Sequence, residues 1–278
     1  MKDRAIGPVL INGEALAPAD AAVSVFDIGF QRGYGCFEAM RTYDGCVFRL
    51  RQHLDRLEHS ADNLRITLPP REDLEAWCLR VGSGGDGVLR VYVTGGLDSA
   101  HLGRDNVVVV FLEPTPDVPA SVKLDLIEAP WHADGRTSEL TGAKTLSYGP
   151  NLAATLSAKS RGFDDAALIG QNDVVLEGPT FSLGWIRDGA LYTPSLDTNI
   201  LASITREATI ETANRFGIQT EVGRYRSEHL LEADEVFVMS TVKEVLPVTV
   251  VGQVSYAPGP VTLSLRKGYL NLVAVECG

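Results

Sequence analysis

In the stretch GAKTLSYGPN, residues 142–151, a single lysine stands among small and hydroxylated residues just before a helix-like segment. Lysine normally belongs to charged surface faces, and this chain has only six. Lys144 follows a polar loop and is flanked by Ser147 and Tyr148, which makes it a candidate imine-forming amine. Two other positions carry chemistry of a matching kind. Glu177 ends the apolar run VVLEG, where Val174, Val175 and Leu176 favour a partly buried carboxylate in need of a partner over a solvated turn residue. In ASITRE, Ser203 can cap a helix whose first amides belong to Ile204, Thr205 and Arg206, and such a helix start is a ready anion site. Singly each signal is weak, because caps of this kind occur in most proteins.

Pyridoxal phosphate would use all three: its aldehyde takes a lysine, its ring nitrogen is held protonated by an acid, and its phosphate suits a helix N-terminus. No metal chemistry competes with that reading. Cys36, Cys46, Cys78 and Cys277 are scattered, without a CxxC pair or a histidine at ligand spacing, and read as free thiols in a reducing compartment. The net charge of −11 repels phosphate backbones, so nucleic acid is not an expected partner. No apolar run approaches the ~20 residues that cross a bilayer. The N-terminal MKDRAIGPVLINGE lacks the pattern of a secretory leader, so a cytoplasmic location without membrane association is expected.

The elements that must position these groups read as follows. PVLING is a strand, and FEAMRTY and CVFRL flank the turn pair Asp44-Gly45 as a hairpin. Leu50, Leu54, Leu57, Ala61 and Leu64 recur at spacings of three and four, the mark of an amphipathic helix, and a shorter helix follows over Arg71 to Arg80. VLRVYVTGG and NVVVVFL are strands, the second apolar enough for the middle of a sheet. Pro114, Pro116 and Pro119 then stiffen PTPDVPAS, which divides residues 1–113, an N-terminal domain of strands and helices, from residues 122–278, with 114–121 as the linker. In the second part, VKLDLI, AALIG, VVLEG, FSLGWI, ALYTP, TEVGRY and EVFVMST read as strands. Helices are expected over PNLAATLSAKSR, from Ser203 to Gly217, and at SEHLLEA. Helices mixed with largely antiparallel strands make the fold class α+β.

Seven segments, in order along nearly the whole chain, resemble the class IV aminotransferases, the fold-type IV pyridoxal-phosphate enzymes. They are GYGCFEAMRTYDG, HLDRLEHSADNL, AKTLSYGPNLAA, DVVLEGPTFS, DGALYTP, ILASITRE and DEVFVMSTVKEVLPV. The family includes branched-chain and D-amino acid aminotransferases, (R)-selective amine transaminases and aminodeoxychorismate lyase. The resemblance implies that Lys144 carries the cofactor as an internal aldimine and shuttles the substrate proton. It further implies that Arg56 grips the phosphate, that Ile204 and Thr205 with Ser240 and Thr241 bind it too, and that Glu177 faces the ring nitrogen. Tyr148 falls where relatives place a tyrosine near the phenolic oxygen, although a packing aromatic also fits there. A homodimer with the active site near the subunit boundary is likewise implied.

Substrate choice is expected to come from the first domain and the 95–105 loop. Phe37 and Glu38, in GCFEAMR, resemble the pocket-facing strand of the relatives, with Phe37 as an apolar wall or a core residue. Arg41 and Arg90 are candidates for holding a carboxylate, while alternation along a strand also places arginines in solvent. The loop GGLDSAHLGRDN departs from the arginine-x-histidine pattern of D-amino acid enzymes, with His101 and Arg104 in another order. Ser182 stands where most relatives have asparagine. The expected reaction moves an amino group from an amino acid or primary amine to a 2-oxo acid such as 2-oxoglutarate or pyruvate. The alternative is elimination of pyruvate from 4-amino-4-deoxychorismate, with the same lysine as base.

Overall fold

Alternation along the strands decides which side of each sheet is buried. The protein is described by a computed structural model over residues 4–98, 100–132 and 136–278. It divides into two compact units. The first runs to Asp117 and takes back Glu139–Tyr148 and Glu276–Gly278; the second comprises Val118–Ser138 and Gly149–Val275.

The first unit contains β1 (Ile6–Ile11), β2 (Glu14–Leu16), α1 (Ile28–Arg32), β3 (Gly35–Tyr43), β4 (Cys46–Val47), α2 (Leu50–Asn63), α3 (Arg71–Gly82), β5 (Gly87–Thr94) and β6 (Val108–Glu113). Its sheet has the order β2-β1-β6-β5-β3-β4 and is antiparallel throughout. On one face Cys36, Met40, Leu89, Val91, Val110 and Leu112 share a core with Leu54 and Leu57 of α2 and Leu74 of α3. Each such buried side chain stabilises the fold by about 1.5–3 kcal/mol relative to exposure. The intervening residues, Phe37, Arg41, Arg90, Tyr92 and Phe111, are only half-buried and line the opposite face.

The second unit contains β7 (Val122–Glu128), α4 (Gly149–Ser160), β8 (Asp165–Ile169), β9 (Ser182–Arg187), β10 (Ala190–Pro194), α5 (Ile204–Arg215), β11 (Thr220–Gly223), α6 (Ser227–Leu231), β12 (Glu235–Ser240), β13 (Glu244–Val251), β14 (Val254–Ser255) and α7 (Pro260–Cys277), whose last turn belongs to the first unit. The sheet runs β11-β10-β9-β12-β13-β7-β8, with β14 on β13. It is mixed: β10–β11, β13–β7 and β7–β8 are parallel pairs, while β9–β10, β9–β12, β12–β13 and β13–β14 are antiparallel.

Several sequence expectations change here. VVLEG is not a strand; Val174 and Val175 make only isolated bridges, to Arg226 and Ile169, and the stretch is apolar because it threads through the core. The helix α7 has no counterpart in the sequence reading, since PVTLSLRKGYLNLVAVEC is apolar on most sides. Cys46 and Cys277 are not free thiols but a disulfide. Their separation of 231 residues gives no spacing pattern, and the fold brings their Cα atoms to 5.6 Å. Beside them Arg49 pairs with Glu276 at 3.0 Å. Cys36 and Cys78 are free and buried, and burial pushes both thiols up to about 12, which leaves them inert. Among the described residues no helix is long and apolar enough to cross a membrane.

The start of α7 depends on one carboxylate. Glu235, 6% exposed on β12, accepts hydrogen bonds from the backbone N–H groups of Val261 (3.0 Å) and Thr262 (2.7 Å). It therefore caps a helix that starts at a proline. The preceding residue must be glycine, because a Cβ at Gly259 would lie 1.9 Å from the Glu235 carboxyl carbon. Glu235→Ala should cost about 1–3 kcal/mol. Urea unfolding should show a lower midpoint with an unchanged slope; an unchanged midpoint would remove the cap from the account.

Candidate active site

Local backbone pairing places Lys144. The segment that carries it lies against β3: the Phe37 N–H donates to the Lys144 carbonyl (3.0 Å), and the Leu146 N–H donates to the Gly35 carbonyl (2.9 Å). Gly35 is required for this approach, since a Cβ there would meet the Val93 carbonyl oxygen at 2.4 Å. On the other side, the Lys144 N–H donates to Ser60 Oγ (3.0 Å), whose hydroxyl donates to the Arg56 carbonyl (2.8 Å). With its backbone held by both β3 and α2, the lysine projects its Nζ to 4.3 Å from the Phe37 ring centroid and 5.9 Å from that of Tyr148. Those two rings meet edge to face at 5.5 Å. An amine held between aromatic faces is positioned and partly shielded from water.

Behind β3 lies a buried charge cluster. Glu38 is fully buried on the core side of the strand, because alternation gives it the same face as Cys36 and Met40 and leaves Phe37 on the other. Its oxygens accept from Arg56 Nε (2.7 Å) and Nη2 (2.7 Å) and from His53 Nδ1 (2.8 Å). Burial by itself raises the Glu38 pKa, but Arg56 and then His53 outweigh it and hold the carboxyl well below the usual range. Burial lowers the His53 pKa more than Glu38 restores it, so the ring is neutral and donates through Nδ1. The two-pronged contact fixes the plane of the Arg56 guanidinium. His53 and Arg56 are three apart on α2, next to the apolar stripe of Leu54 and Leu57; that unusual placement of polar residues was the available signal.

On the open face of the same sheet, Phe37, Tyr92 and Phe111 stack across three strands, with ring centroids 5.6 and 5.9 Å apart. Arg90 lies opposite Ala39 and Phe111, while Arg41 lies opposite Val88. The two arginines differ in their partners. Arg90 Nε donates to Glu113 Oε1 at 2.6 Å and Nη2 reaches the same oxygen at 2.5 Å. Arg41 has its Nε and Nη1 buried without a hydrogen-bond partner, and its guanidinium lies 5.3 Å from the Tyr43 ring centroid. In the 95–105 loop, His101 Nδ1 pairs with Asp98, and that partner raises the His101 pKa.

The other candidates belong to the second unit. Glu177 Oε1 accepts from the Leu201 N–H at 3.1 Å, and the Glu177 carbonyl accepts from the Leu168 N–H at 2.8 Å. Arg206 adds positive charge near this carboxylate; it is 7% exposed and donates to Thr193 Oγ1 (2.9 Å) and the Pro194 carbonyl (2.7 Å). Burial lowers the Arg206 pKa, and Glu177 works against that. Ser203 caps α5 as expected, its side chain accepting from the Arg206 N–H at 3.2 Å, so that Ile204 and Thr205 form the first turn. Ser240 ends β12, and its Oγ accepts from the Lys243 N–H (3.1 Å) in the turn that holds Thr241. The Ser182 hydroxyl, opposite Met239 in the sheet, is buried with no hydrogen-bond partner.

The donor set in each unit suits a phosphorylated aldehyde cofactor. The first has an amine between rings and a fixed guanidinium; the second has a carboxylate, a capped helix start, a hydroxyl turn and an orphaned buried hydroxyl. Among the described residues, no group of His, Cys, Asp and Glu could hold a metal ion.

Comparison with known proteins points to the same cofactor chemistry. Residues 35–251 match the amino-transferase class IV family. A putative branched-chain-amino-acid aminotransferase of Methanocaldococcus jannaschii is 32% identical over 249 residues, 86% of each chain. The aminodeoxychorismate lyase of Bacillus subtilis is 30% identical over 279 residues, 94% of this chain and 93% of its own. Among solved structures, a fold IV-transaminase from Curtobacterium pusillum superposes with a TM-score of 0.87. It is 28% identical, and the match covers 95% of this chain and 92% of that one.

Proposed function

Because this chain belongs to the class IV aminotransferases, which work with pyridoxal 5'-phosphate, we propose that it moves an amino group from an amino acid to a 2-oxo acid with Lys144 as the reacting residue. The observation that carries this reading is the Lys144 amine, held by backbone bonds to β3 and α2 and set between Phe37 and Tyr148. The bound cofactor supplies an electron sink for the carbanion formed at the substrate carbon. Lys144 would hold it covalently, and its amine, released when the substrate amine takes its place, would carry the proton to and from that carbon through Nζ. Arg56, oriented by Glu38, would hold the phosphate. The first N–H groups of α5 at Ile204 and Thr205, together with Ser240 and Thr241, would bind it too. Glu177 would keep the proton on the ring nitrogen, with the positive charge of Arg206 near its carboxylate. Tyr148 would face the cofactor's phenolic oxygen. Phe37, Arg41 and Arg90 form the substrate side, with Arg41 the better carboxylate anchor because its guanidinium is not committed to an acidic partner.

The protein is further proposed to be a homodimer. Val25, Phe26 and Phe30 around α1 are 61%, 70% and 73% exposed, an apolar surface that a second copy would cover. Light scattering should give twice the 30.0 kDa chain mass.

Visible spectroscopy of the holoenzyme tests the reaction. Addition of L-leucine, D-alanine or (R)-1-phenylethylamine should bleach the yellow form, and a 2-oxo acid should restore it. A protein that ignores all three, yet releases pyruvate from aminodeoxychorismate without bleaching, is a lyase instead. The lyase relative at 30% identity makes that second reading specific.

A further inference from the structure

The open face of the first sheet carries more than a candidate carboxylate anchor. Its register puts Ala39 two residues along β3 from Phe37, with Arg90 directly across on β5. Arg90 and Phe37 are therefore diagonal neighbours on one face, with backbones about 7–8 Å apart, and the Lys144 amine sits beside the Phe37 ring. That is within reach of the far end of a five-carbon substrate. Stacked Phe37, Tyr92 and Phe111 make the surface between them apolar.

The charges on this face are uneven. Arg41 has two buried guanidinium nitrogens without partners. Arg90 does not, because Glu113 engages both its Nε and its Nη2 through one oxygen. Apart from the lysine, two arginines and one glutamate leave a single positive charge, and it belongs to Arg41. A substrate with one carboxylate and an apolar chain satisfies such a face. A substrate with a second carboxylate must either separate Arg90 from Glu113 or bring its own charge close to the Glu113 carboxylate, and both cost free energy.

We infer that Glu113 is a specificity-determining residue: by occupying Arg90 it restricts the enzyme to amino and 2-oxo acids with one carboxylate and an apolar side chain, and excludes dicarboxylates. This rests on the reading of the Phe37–Arg90 face as the substrate side. Glu113 acts through Arg90 and has no part in the proton transfer. Its side chain is 30% exposed, so its replacement leaves the core intact.

The test uses achiral acceptors, which avoid the question of donor handedness. The holoenzyme should show a higher kcat/KM for 4-methyl-2-oxopentanoate than for 2-oxoglutarate. Glu113→Gln keeps the shape but drops the charge, and it should shift that ratio toward 2-oxoglutarate by about tenfold or more. Adding Arg90→Gln in the Glu113→Gln background should cancel the gain. Spectral titration with the unreactive acids glutarate and pentanoate should show the same change in relative affinity, independently of turnover. The inference is overturned if the wild-type enzyme prefers 2-oxoglutarate, or if Glu113→Gln leaves the ratio unchanged. A different failure concerns the reading beneath it. If Arg41→Gln and Phe37→Ala both leave the KM of every acceptor unchanged, the face is not the substrate side at all. If those variants respond and Glu113→Gln does not, only the role of Glu113 falls.

Discussion

Lys144→Ala should abolish turnover, with a loss of about 10⁴-fold or more, because on the proposed reading one amine serves both as the covalent attachment and as the proton carrier. The outcome needs a readout other than rate, since any damaged enzyme is slow. Borohydride reduction of the wild-type holoenzyme should fix the cofactor to the peptide that contains Lys144, and the variant should take up none. The structure supplies a specific competitor. Lys243 is half-buried, its Nζ lies 4.9 Å from the Phe181 ring centroid, and burial lowers its pKa, so it too is a nucleophilic amine. Labelling at Lys243 in the wild-type protein, or in the variant with turnover retained, would refute the assignment of Lys144. The Phe37–Tyr148 setting favours Lys144, whose backbone is hydrogen-bonded to β3 through its carbonyl and to α2 through its N–H.

Glu38→Gln is expected to be the most damaging change at a position that makes no contact with substrate. It leaves the Arg56 guanidinium, only 10% exposed, without its counter-charge. Removing one member of a buried ion pair costs about 3–5 kcal/mol. The pH dependence has a definite sign. The folded pKa of Glu38 lies below that of an unfolded glutamate, so its contribution is complete above the unfolded value of about 4.3 and is lost as pH falls toward the folded one. The stability gap between wild type and Glu38→Gln should therefore be largest near neutral pH and shrink on acidification. A gap that stays constant from pH 7 down to about pH 3, below that unfolded value, would mean that the charge of Glu38 is irrelevant. The same variant should weaken binding of pyridoxal 5'-phosphate more than that of pyridoxal, because the group that loses its orientation is the one assigned to the phosphate. Equal weakening of both would confine Glu38 to a structural role.

Much was legible before any coordinates. The amphipathic spacing of Leu50, Leu54 and Leu57 marks α2, Asp44-Gly45 marks the β3–β4 turn, and Ser203 marks the start of α5, because each is a local rule acting over a few residues. The family and its cofactor were legible too, through segments that keep their order over nearly the whole chain.

Partners distant in sequence were not legible. Nothing local in AKTLSY says that this segment returns to β3, since hydrogen bonds between residues 37 and 144 depend on where the chain as a whole turns back. Nothing in GCFEAMR says that Glu38 meets Arg56 and His53; alternation on β3 and the inner face of α2 bring them together. Cys46 and Cys277 read as free thiols until the fold closes their sequence separation of 231. Arg41 and Arg90 are equivalent on paper, and only the strand register that puts Glu113 beside Arg90 separates them. Local periodicity and motif order determined most of the elements, with α7 and the VVLEG stretch as exceptions, and the family chemistry. Charge pairing, and with it the division of labour among the arginines, was decided by tertiary contacts, because an ion pair depends on distance in space and leaves no period along the chain.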